Sequence, residues 1–426
     1  MNGRVPPAQA RRVCVVGAGI VGCATAYALA REGWDVTLVD ALAAPGQGTS
    51  LANGAQLSYS YVEPLATPAA LRALPGWLLS SDGPLRWRPR PDLAHLRWLM
   101  AFVLACRTSQ VRRTTAALLA LSSLSRATLH RWLDELPHVA RAAGHARPGK
   151  LVIYRKPELR PGVERQLAWQ RELGCRQSLV DEAECLRLEP ALAAARRERI
   201  AFGVWTEDEE VIDTAVLARA LAGASRARLL LNHRVTGLVR EGGRIRGLTL
   251  DGACREIAAD HVVLAAGSAM TALLAPLRLA LPIEPIKGYS VTLPIVNASA
   301  APRASITDQS RKMVFARLGE KLRVAGFAEL VGQDLRVDGQ RIEALCEAAR
   351  ALFPEACDTA QPQPWAGLRP ATPSGRPLVG ALGFDNLWVH AGHGALGLTL
   401  APGSAALLAQ LMAGAPAAVD AELFRP

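Results

Sequence analysis

The chain lacks the cysteine spacings that mark metal-bound or disulfide-stapled proteins. Its eight cysteines are scattered, and no C-x-x-C pair occurs. This spacing argues against a zinc ribbon and against a disulfide framework, and several of the cysteines lie within apolar runs. Histidine and acidic residues likewise show no metal-ligand spacing. The acidic run Glu207-Asp-Glu-Glu210 has the composition of a solvated loop. We therefore expect free, buried thiols in a reducing compartment and no metal site.

A dense basic run interleaved with aromatic residues is also missing. Aromatic side chains make up 5% of the sequence, and lysine occurs only five times, so the net charge of +11 is carried by arginine. We therefore expect no nucleic-acid partner. A positive surface would still attract anionic lipid headgroups or acidic substrates, weakly and in a salt-dependent way.

No hydrophobic run in the sequence is long enough to predict a membrane span. The most tempting stretch, residues 96–105, is about half the length that crosses a bilayer, and it contains Arg97. The residues before the first apolar run are few and polar, which predicts no signal peptide. We expect a cytoplasmic protein, and peripheral association with the inner face of the cytoplasmic membrane stays open.

The length and composition favour two folded domains. The chain has 426 residues, half of them hydrophobic and 20% charged. Such a chain exceeds what a single core usually covers, and it has the composition of a globular protein rather than a disordered one.

The strongest positive signal is a strand, a glycine turn and a helix near the N-terminus. Residues 13–16 are apolar and lead into Gly17-x-Gly19-x-x-Gly22, and a helical pattern then runs to Gly33. In this arrangement Gly17 permits a tight turn, Gly19 lets a pyrophosphate approach the backbone, and Gly22 allows close packing of helix on strand. The helix N-terminus then favours a phosphate group.

A second strand, residues 35–39, completes the βαβ unit and ends in an acidic residue. Asp40 follows Gly22 by eighteen residues, where a carboxylate can accept hydrogen bonds from a ribose diol. This pattern predicts a dinucleotide site that suits NAD or FAD and suits NADP poorly.

Segments with features of a nucleotide-binding domain recur at three later places in the chain. Residues 47–56 are small and polar, residues 213–268 predict a capped helix and several strands, and residues 365–399 are rich in glycine. The intervening stretches differ, because residues 67–189 have helical periodicity and residues 281–364 alternate as strands do. We predict an α/β fold in which a Rossmann-like domain (residues 10–66, 211–280 and 365–426) is interleaved with an α+β substrate-binding domain (residues 67–210 and 281–364). The sheet of the second domain should be mixed or antiparallel.

Five segments, in order, resemble the D-amino-acid oxidase family of FAD-dependent oxidoreductases, and within it the bacterial D-amino-acid dehydrogenases. The segments are Thr49-Ser-x-Ala-Asn53, Ala265-Ala-Gly267, Pro285-Ile-Lys-Gly-Tyr-Ser290, Gly367-Leu-Arg-Pro-Ala-Thr-Pro373 and Gly392-His-Gly-x-Leu-Gly-Leu-Thr399. The resemblance implies a FAD-binding domain of the glutathione-reductase type and non-covalent FAD rather than NAD. It also implies oxidation of a free D-amino acid to an imino acid, which hydrolyses to a 2-oxo acid and ammonia. A quinone or another acceptor would take the electrons.

The resemblance also suggests roles for individual residues. It implies that Arg369 holds the substrate carboxylate and that residues 394–399 face the pyrimidine end of the flavin. One departure concerns Gly54-Ala55, where the order Ala-Gly is more usual in the family. The residues that we assign to the cofactor on these grounds are Val16, Gly17, Gly19, Ile20, Val21, Gly22, Asp40, Thr49, Ser50, Asn53, Gly54, Ala55, Gln56, Val235, Ala266, Gly267, Gly394, Ala395, Leu396, Gly397, Leu398 and Thr399.

The chemistry requires orientation more than acid–base catalysis. FAD takes the hydride, so a bidentate arginine that fixes the carboxylate supplies much of what the protein must contribute. Arg369 and Tyr289 are therefore our catalytic candidates. Substrate contacts are expected from those two residues and from Tyr61, Tyr59, Gln56 and His393, although hydride transfer does not demand that His393 act as a base.

Other functions fit the same sequence. A related enzyme could oxidise glycine, sarcosine, D-proline or hydroxy-D-proline. The chain could also be the FAD-bearing subunit of a heteromeric dehydrogenase. A NAD-dependent dehydrogenase is a third alternative, but it would have no need of the segment from Gly392 to Thr399.

Overall fold

The computed structural model describes residues 11–79, 83, 85–195, 199–252 and 256–426, and within these residues the chain forms two large sheets and two small ones. The strands are β1 Arg12–Val16, β2 Asp35–Val39, β3 Gln56–Leu57, β4 Leu85–Trp87, β5 Lys150–Tyr154, β6 Ser178–Val180, β7 Phe202–Thr206, β8 Glu210–Val211, β9 Arg228–Leu230, β10 Val235–Glu241, β11 Arg244–Leu250, β12 Glu256–Ala258, β13 His261–Leu264, β14 Glu284–Pro294, β15 Ser305–Asp308, β16 Met313–Leu318, β17 Lys321–Leu330, β18 Gln363–Ala371, β19 Leu378–Ala381 and β20 Leu387–Ala391.

The α-helices pack on both large sheets. They are α1 Ile20–Arg31, α2 Pro68–Leu79, α3 Leu93–Ala105, α4 Thr108–Glu135, α5 Pro137–Ala142, α6 Arg160–Glu172, α7 Glu182–Leu188, α8 Thr214–Ala224, α9 Met270–Leu274, α10 Gly339–Leu352 and α11 Gly397–Ala413. Several begin at an aspartate whose carboxylate accepts hydrogen bonds from the first-turn amides, such as Asp92 at α3 and the predicted cap Asp213 at α8.

The first large sheet is the predicted Rossmann-like sheet. Its order is β19-β20-β13-β1-β2-β9, and β1 runs parallel to both β2 and β13. Residues 13–16 are all buried because helices cover one face of the sheet and the three-stranded sheet β10-β11-β12 covers the other. This layered arrangement confirms the predicted fold class.

The second large sheet has nine strands and mixed direction. Its order is β18-β14-β17-β16-β15-β5-β7-β6, and β4 pairs with β17. The strands from β18 to β15 are antiparallel, whereas β15 and β5 are parallel. Helix α10 covers one face and buries Leu345 and Leu352 against the core residues of β14 and β17. The mixed sheet agrees with the prediction for residues 281–364.

Two features of the structure cross the predicted domain boundaries. Strand β18 begins at Gln363, so the boundary that we predict at residue 365 falls inside a strand of the nine-stranded sheet. Helix α4 comes from the predicted substrate-binding segment, yet its residues Leu118 and Leu121 share a core with β1 and α11.

Helix α11 is apolar enough to resemble a membrane span but serves as a core helix. An 18-residue window of the helical stretch Gly394–Ala413 has a mean hydropathy of 1.5, and 67% of that window is buried inside the protein. It packs on α1 and α4, and the Gly403 amide donates to the Ser125 hydroxyl at 3.0 Å. The seven described cysteines are free, and all but Cys357 are buried, as the sequence predicts.

Candidate active site

The glycine turn between β1 and α1 leaves a helix N-terminus accessible. Gly17 has φ of +106°, and a Cβ on Gly22 would lie 1.7 Å from the Gly17 carbonyl oxygen, so both positions need glycine. A Cβ on Gly19 would meet nothing nearer than the Ser50 hydroxyl at 3.5 Å. Gly19 supplies no side-chain cap, and the Ile20 amide donates to that same hydroxyl at 2.9 Å. Other first-turn amides are therefore available to an anion.

Asp40 lies at the end of β2, directly beside this turn. Its carboxylate accepts a hydrogen bond from the Ala18 amide at 2.6 Å and another from the Leu42 amide at 2.8 Å. These bonds fix the carboxylate while leaving lone pairs on both oxygens for a ribose diol.

The segment from Thr49 to Gln56 connects the two large sheets. The Thr49 hydroxyl donates to the Leu368 carbonyl on β18 at 2.8 Å, and the Ser290 hydroxyl on β14 donates to the Ala52 carbonyl at 2.5 Å. Arg323 on β17 donates to the Asn53 carbonyl at 2.9 Å. The segment thus spans from the glycine turn to the strands of the nine-stranded sheet.

Within this segment, the unusual order Gly54-Ala55 has a visible consequence. Ala55 is buried and has φ of +56°, a left-handed conformation that favours glycine. A Cβ on Gly54 would lie 3.1 Å from a Val314 methyl group. Gln56 follows and donates from Nε2 to the carbonyls of Ile306 and Phe315, at 3.2 and 3.3 Å.

The later predicted cofactor residues gather at the same end of the sheet. Gly267 has φ of +59°, and a Cβ there would lie 3.9 Å from the Pro370 ring. A Cβ on Gly394 would lie 3.9 Å from Ala371, which also forms a β-bridge with His393. Residues 394–396 form one 3-10 turn, and α11 begins at Gly397 as the sequence predicts.

Three further cofactor candidates lie close to this region. The Thr399 hydroxyl on α11 accepts from the Ser58 amide at 3.0 Å. Val235 at the start of β10 and Ala266 pack against the core that contains Val16 and Val389.

Arg369 on β18 is a half-buried cation without a carboxylate partner among the described residues. Its Nη1 donates to the Phe327 carbonyl at 2.8 Å. Burial lowers the pKa of the guanidinium to about 10. The remaining donors of the fork are available to a carboxylate ligand.

Gly288, which the sequence analysis did not single out, makes room for this guanidinium. It lies two pairs along the ladder from Arg369 and on the same face of the sheet, since Ile286 pairs with Arg369 and Gly288 with Gly367. A Cβ on Gly288 would lie 2.3 Å from Arg369 Nη2 and 2.4 Å from its Cζ. Cross-strand pairing is the signal that would have revealed it.

The side chains of Tyr289 and Arg369 lie on opposite faces of the nine-stranded sheet. Successive strand residues face opposite sides, and Tyr289 points into the core under α10 and is 1% exposed. Its hydroxyl donates to Glu329 at 2.9 Å, and Arg341 Nε donates to the same carboxylate at 3.0 Å. This geometry favours a structural role for Tyr289 over the substrate contact and catalytic role that we expected.

The other two tyrosines are also hydrogen-bonded within the protein. The Tyr59 hydroxyl donates to Glu210 at 3.2 Å, and the Tyr61 hydroxyl lies 3.5 Å from Gln309 Oε1. The Lys150 ammonium lies 4.3 Å from the centre of the Tyr61 ring, and burial lowers the pKa of Lys150 to about 8. Tyr61 is partly exposed, whereas Tyr59 is buried.

His393 is 2% exposed and belongs to a buried pair of imidazoles. Its Nε2 lies 3.0 Å from the Ser404 hydroxyl, which also lies 2.7 Å from His390 Nε2. Burial lowers the pKa of His393 to about 3, so the imidazole is neutral. The His393 Nδ1 has no hydrogen-bond partner among the described residues.

Only the first half of the acidic run 207–210 is solvated, because Glu207 is exposed and the last two residues are buried. Glu209 and Glu210 are each 1% exposed. Glu210 accepts from His130 Nε2 at 2.6 Å and from His145 Nε2 at 2.9 Å, in addition to Tyr59. Burial alone would raise the pKa of Glu210, but the bonds and charges of the two histidines outweigh it and lower that pKa. The expectation was wrong for Glu209 and Glu210 because charge in a run says nothing about partners distant in sequence.

These two histidines and Glu210 form a group of metal-ligand type that the sequence spacing did not indicate. Their candidate ligand atoms all lie within 4.8 Å of one another. The hydrogen bonds among them already satisfy the buried carboxylate, so the arrangement is explained without an ion.

Residues 12–411 match the family model described as FAD dependent oxidoreductase, abbreviated DAO. The chain belongs to this family of FAD-dependent oxidoreductases. The predicted cofactor, FAD, is confirmed by this membership. The described residues also fit it, because the uncapped end of α1 and the open space at Gly19 suit a pyrophosphate.

Several relatives in this FAD-dependent family share most of their length with the chain. D-amino acid dehydrogenase 2 of Ralstonia nicotianae is 46% identical over 422 residues, which cover 96% of this chain and 98% of the relative. D-amino acid dehydrogenase 2 of Pseudomonas aeruginosa is 47% identical over 97% of each chain. These identities support the resemblance that the five sequence segments suggested.

Solved structures of the family share the fold at lower identity. Glycine oxidase from Geobacillus kaustophilus superimposes with a TM-score of 0.71 at 22% identity, over 97% of this chain and 98% of that one. L-proline dehydrogenase from P. horikoshii gives a TM-score of 0.73 at 17% identity, over 98% and 97%. At such identities the similarity establishes the fold alone.

Proposed function

We propose that the chain oxidises free D-amino acids to 2-oxo acids and ammonia with non-covalently bound FAD. The observation that carries this proposal is the 46–47% identity, over nearly full length, to two proteins named D-amino acid dehydrogenase 2. The half-buried Arg369 guanidinium, with donors left free, suits the carboxylate that all such substrates share.

Arg369 orients the substrate in this proposal. Its fork binds both carboxylate oxygens, and the Phe327 carbonyl and the space over Gly288 hold the guanidinium in place. Such positioning lowers the activation barrier by up to about 7–11 kcal/mol in the ideal limit. Bound FAD supplies the acceptor for the hydride that leaves Cα.

The N-terminus of α11 contributes electrostatically. Its first-turn amides and the positive end of its dipole favour negative charge at residues 394–399, where we assign the flavin ring. We also infer that residues 10–66, 211–280 and 365–426 form the FAD-binding domain and that the rest forms the substrate-binding domain. Strand β18 joins the two through Thr49 and Leu368.

We infer further that a quinone or another acceptor, rather than oxygen, takes the electrons of a cytoplasmic enzyme attached peripherally to the membrane. Two observations support this inference: the relatives are named dehydrogenases, and the net charge is +11. Stopped-flow reoxidation of the reduced enzyme tests it. Reoxidation by air-level oxygen as fast as turnover, without acceleration by a soluble quinone analogue, would identify an oxidase instead.

Substitution of Arg369 tests the substrate assignment. Arg369→Ala leaves the carboxylate without its partner, and kcat/KM for D-amino acids should fall by the equivalent of about 2–5 kcal/mol. Arg369→Lys should recover only part of the loss, because an ammonium cannot form the fork.

A panel of D-amino acids, their L-enantiomers and the matching decarboxylated amines, with a dye acceptor under argon, provides the measurement. The flavin absorption spectrum verifies that each variant retains its cofactor. Unchanged kcat/KM for D-amino acids in Arg369→Ala would refute the role of Arg369, and equal turnover of L-enantiomers by the wild type would refute the substrate class.

A further inference from the structure

Helix α3 exposes an apolar face, which reverses the usual arrangement of a surface helix. Five large apolar residues on it are exposed, at intervals of three, four, three and one residues that place them on one side of the helix. Met100 and Leu93 are each 60% exposed. We call this set the α3 face, and its members are Leu93, Leu96, Met100, Val103 and Leu104.

The opposite side of α3 packs against the strand that carries Arg369. Trp98 is buried with Ile286 and Ala371, and its indole Nε1 donates to the Ala371 carbonyl at 2.9 Å. Ala371 is two residues beyond Arg369 and forms the bridge to His393. A single helix therefore separates whatever covers the α3 face from the candidate active site.

The surroundings of the α3 face are basic. Residues 86–113 contain seven arginines and only one acidic residue, Asp92, although the arginines at 86, 88 and 90 form ion pairs with carboxylates from other parts of the chain. Arg97 and Arg107 are exposed and form no ion pair within the described part of the chain. Exposed apolar residues and flanking arginines are the features of a helix that lies in a bilayer surface.

We propose that the α3 face docks the enzyme on an anionic lipid bilayer, with the helix in the plane of the interface. The charge of the flanking arginines selects this occupant over a second copy of the chain, which would carry the same basic surroundings. The inference rests on the proposed function in one respect: docking here brings the Arg369 strand close to a quinone dissolved in the bilayer. The α3 face thus gives the proposed peripheral attachment a defined surface.

The test uses the full-length, FAD-loaded protein and two double variants. Met100→Glu/Val103→Glu places two charges on the α3 face. Val296→Glu/Leu159→Glu is the matched control, since both residues are exposed apolar side chains outside α3 and the change in charge is identical. Binding is measured by co-sedimentation with vesicles of equal parts phosphatidylglycerol and phosphatidylcholine, and with vesicles of phosphatidylcholine alone.

The wild type should bind the mixed vesicles, and it should bind those of phosphatidylcholine alone about tenfold more weakly. Met100→Glu/Val103→Glu should lower the partition coefficient by about a hundredfold, because two apolar side chains no longer leave water. The control should stay within about threefold of the wild type. Reduction of a soluble dye should be the same in all three proteins, whereas reduction of a quinone in vesicles should fall only in the α3 variant.

Wild-type protein that stays in the supernatant would overturn the proposal, and so would an α3 variant that binds like the wild type. A wild-type dimer that becomes monomeric in the α3 variant, without vesicle binding, would identify the face as a contact between copies and would also overturn it. Dye reduction separates the two proposals. An active enzyme that ignores vesicles contradicts only the docking surface, and an inactive one that binds them contradicts only the proposed function.

Discussion

Gly288→Ala should disable the enzyme while leaving its fold intact. The added Cβ would lie 2.3–2.5 Å from three atoms of the Arg369 guanidinium, closer than any real contact. These three atoms form the far end of a flexible side chain, and none of them belongs to the backbone. The guanidinium can therefore move aside, so the strain is relieved by the residue that we assign to the substrate carboxylate.

The size of the effect follows from the required displacement. An ordinary carbon contact needs roughly 3.5–4.0 Å, so the guanidinium must move by more than about 1 Å. A displacement of that size can reduce catalysis by about a hundredfold, equivalent to about 3 kcal/mol. Its hydrogen bond to the Phe327 carbonyl should also weaken, and a bond from a charged donor contributes about 1.5–3 kcal/mol to stability, so the urea midpoint should fall only moderately.

The assay compares kcat/KM for D-amino acids with the urea midpoint and the flavin content of each variant. Gly237→Ala is the matched control, because Gly237 also lies in a strand and a Cβ there would make only ordinary contacts of 3.7–3.8 Å with Thr249. A double-mutant cycle decides the mechanism. In an Arg369→Ala background, Gly288→Ala should add little further loss. If the two losses in kcat/KM add fully, Gly288 acts by some route other than Arg369, and the reasoning is refuted.

Two further predictions concern stability. Gly403→Ala would place a Cβ 2.6 Å from the backbone nitrogen of Ser125, which should force α11 away from α4 and lower the free energy of unfolding by about 1–3 kcal/mol. In urea denaturation the exposed Gly223→Ala should show no such loss. An unchanged midpoint for Gly403→Ala would contradict the packing argument. Because burial lowers the pKa of His393 to about 3, the unfolded chain takes up a proton that the folded chain refuses, so stability is full above pH ~6.5 and falls below it by on the order of 1 kcal/mol per pH unit. His393→Asn should reduce this slope between pH 6.5 and 4 without abolishing it, because burial also lowers the pKa of His390, and the exposed His138→Asn should leave the slope unchanged. Urea titrations at several pH values measure this, and parallel curves for all three proteins would rule it out.

The sequence predicted the parts of the fold that rest on local patterns. The turn at Gly17 and the helix behind it need glycine for reasons of backbone geometry, and the predicted cap Asp213 accepts bonds from two amides of α8. Alternating apolar residues likewise located β14, β16 and β17 of the second sheet, whereas β5 and β6 lie within residues 67–189, where we predicted helices. Each of these signals lies within a short stretch of chain, so it is readable without knowledge of the tertiary structure.

The contacts that shape the site arise between distant strands, which explains what the sequence analysis missed. Gly288 and Arg369 are 81 residues apart, and only the antiparallel register of β14 and β18 makes them neighbours. The same register decides that Tyr289 faces α10, since a shift of one residue would turn it toward Arg369. Burial of Glu210 depends in the same way on His130 and His145, which lie at least 65 residues away in the sequence.

Backbone strain marks the same region of the molecule. Between Lys287 and Tyr289 the pairing of β14 with β17 shifts register, so β17 carries one extra residue. Phe327 occupies this bulge with φ of +62°, a conformation that is costly for a bulky side chain. The bulge turns the Phe327 carbonyl toward Arg369, which donates to it. A regular strand would commit that carbonyl to the ladder, so the strained residue and the cleared space at Gly288 together hold one guanidinium where a substrate carboxylate can reach it.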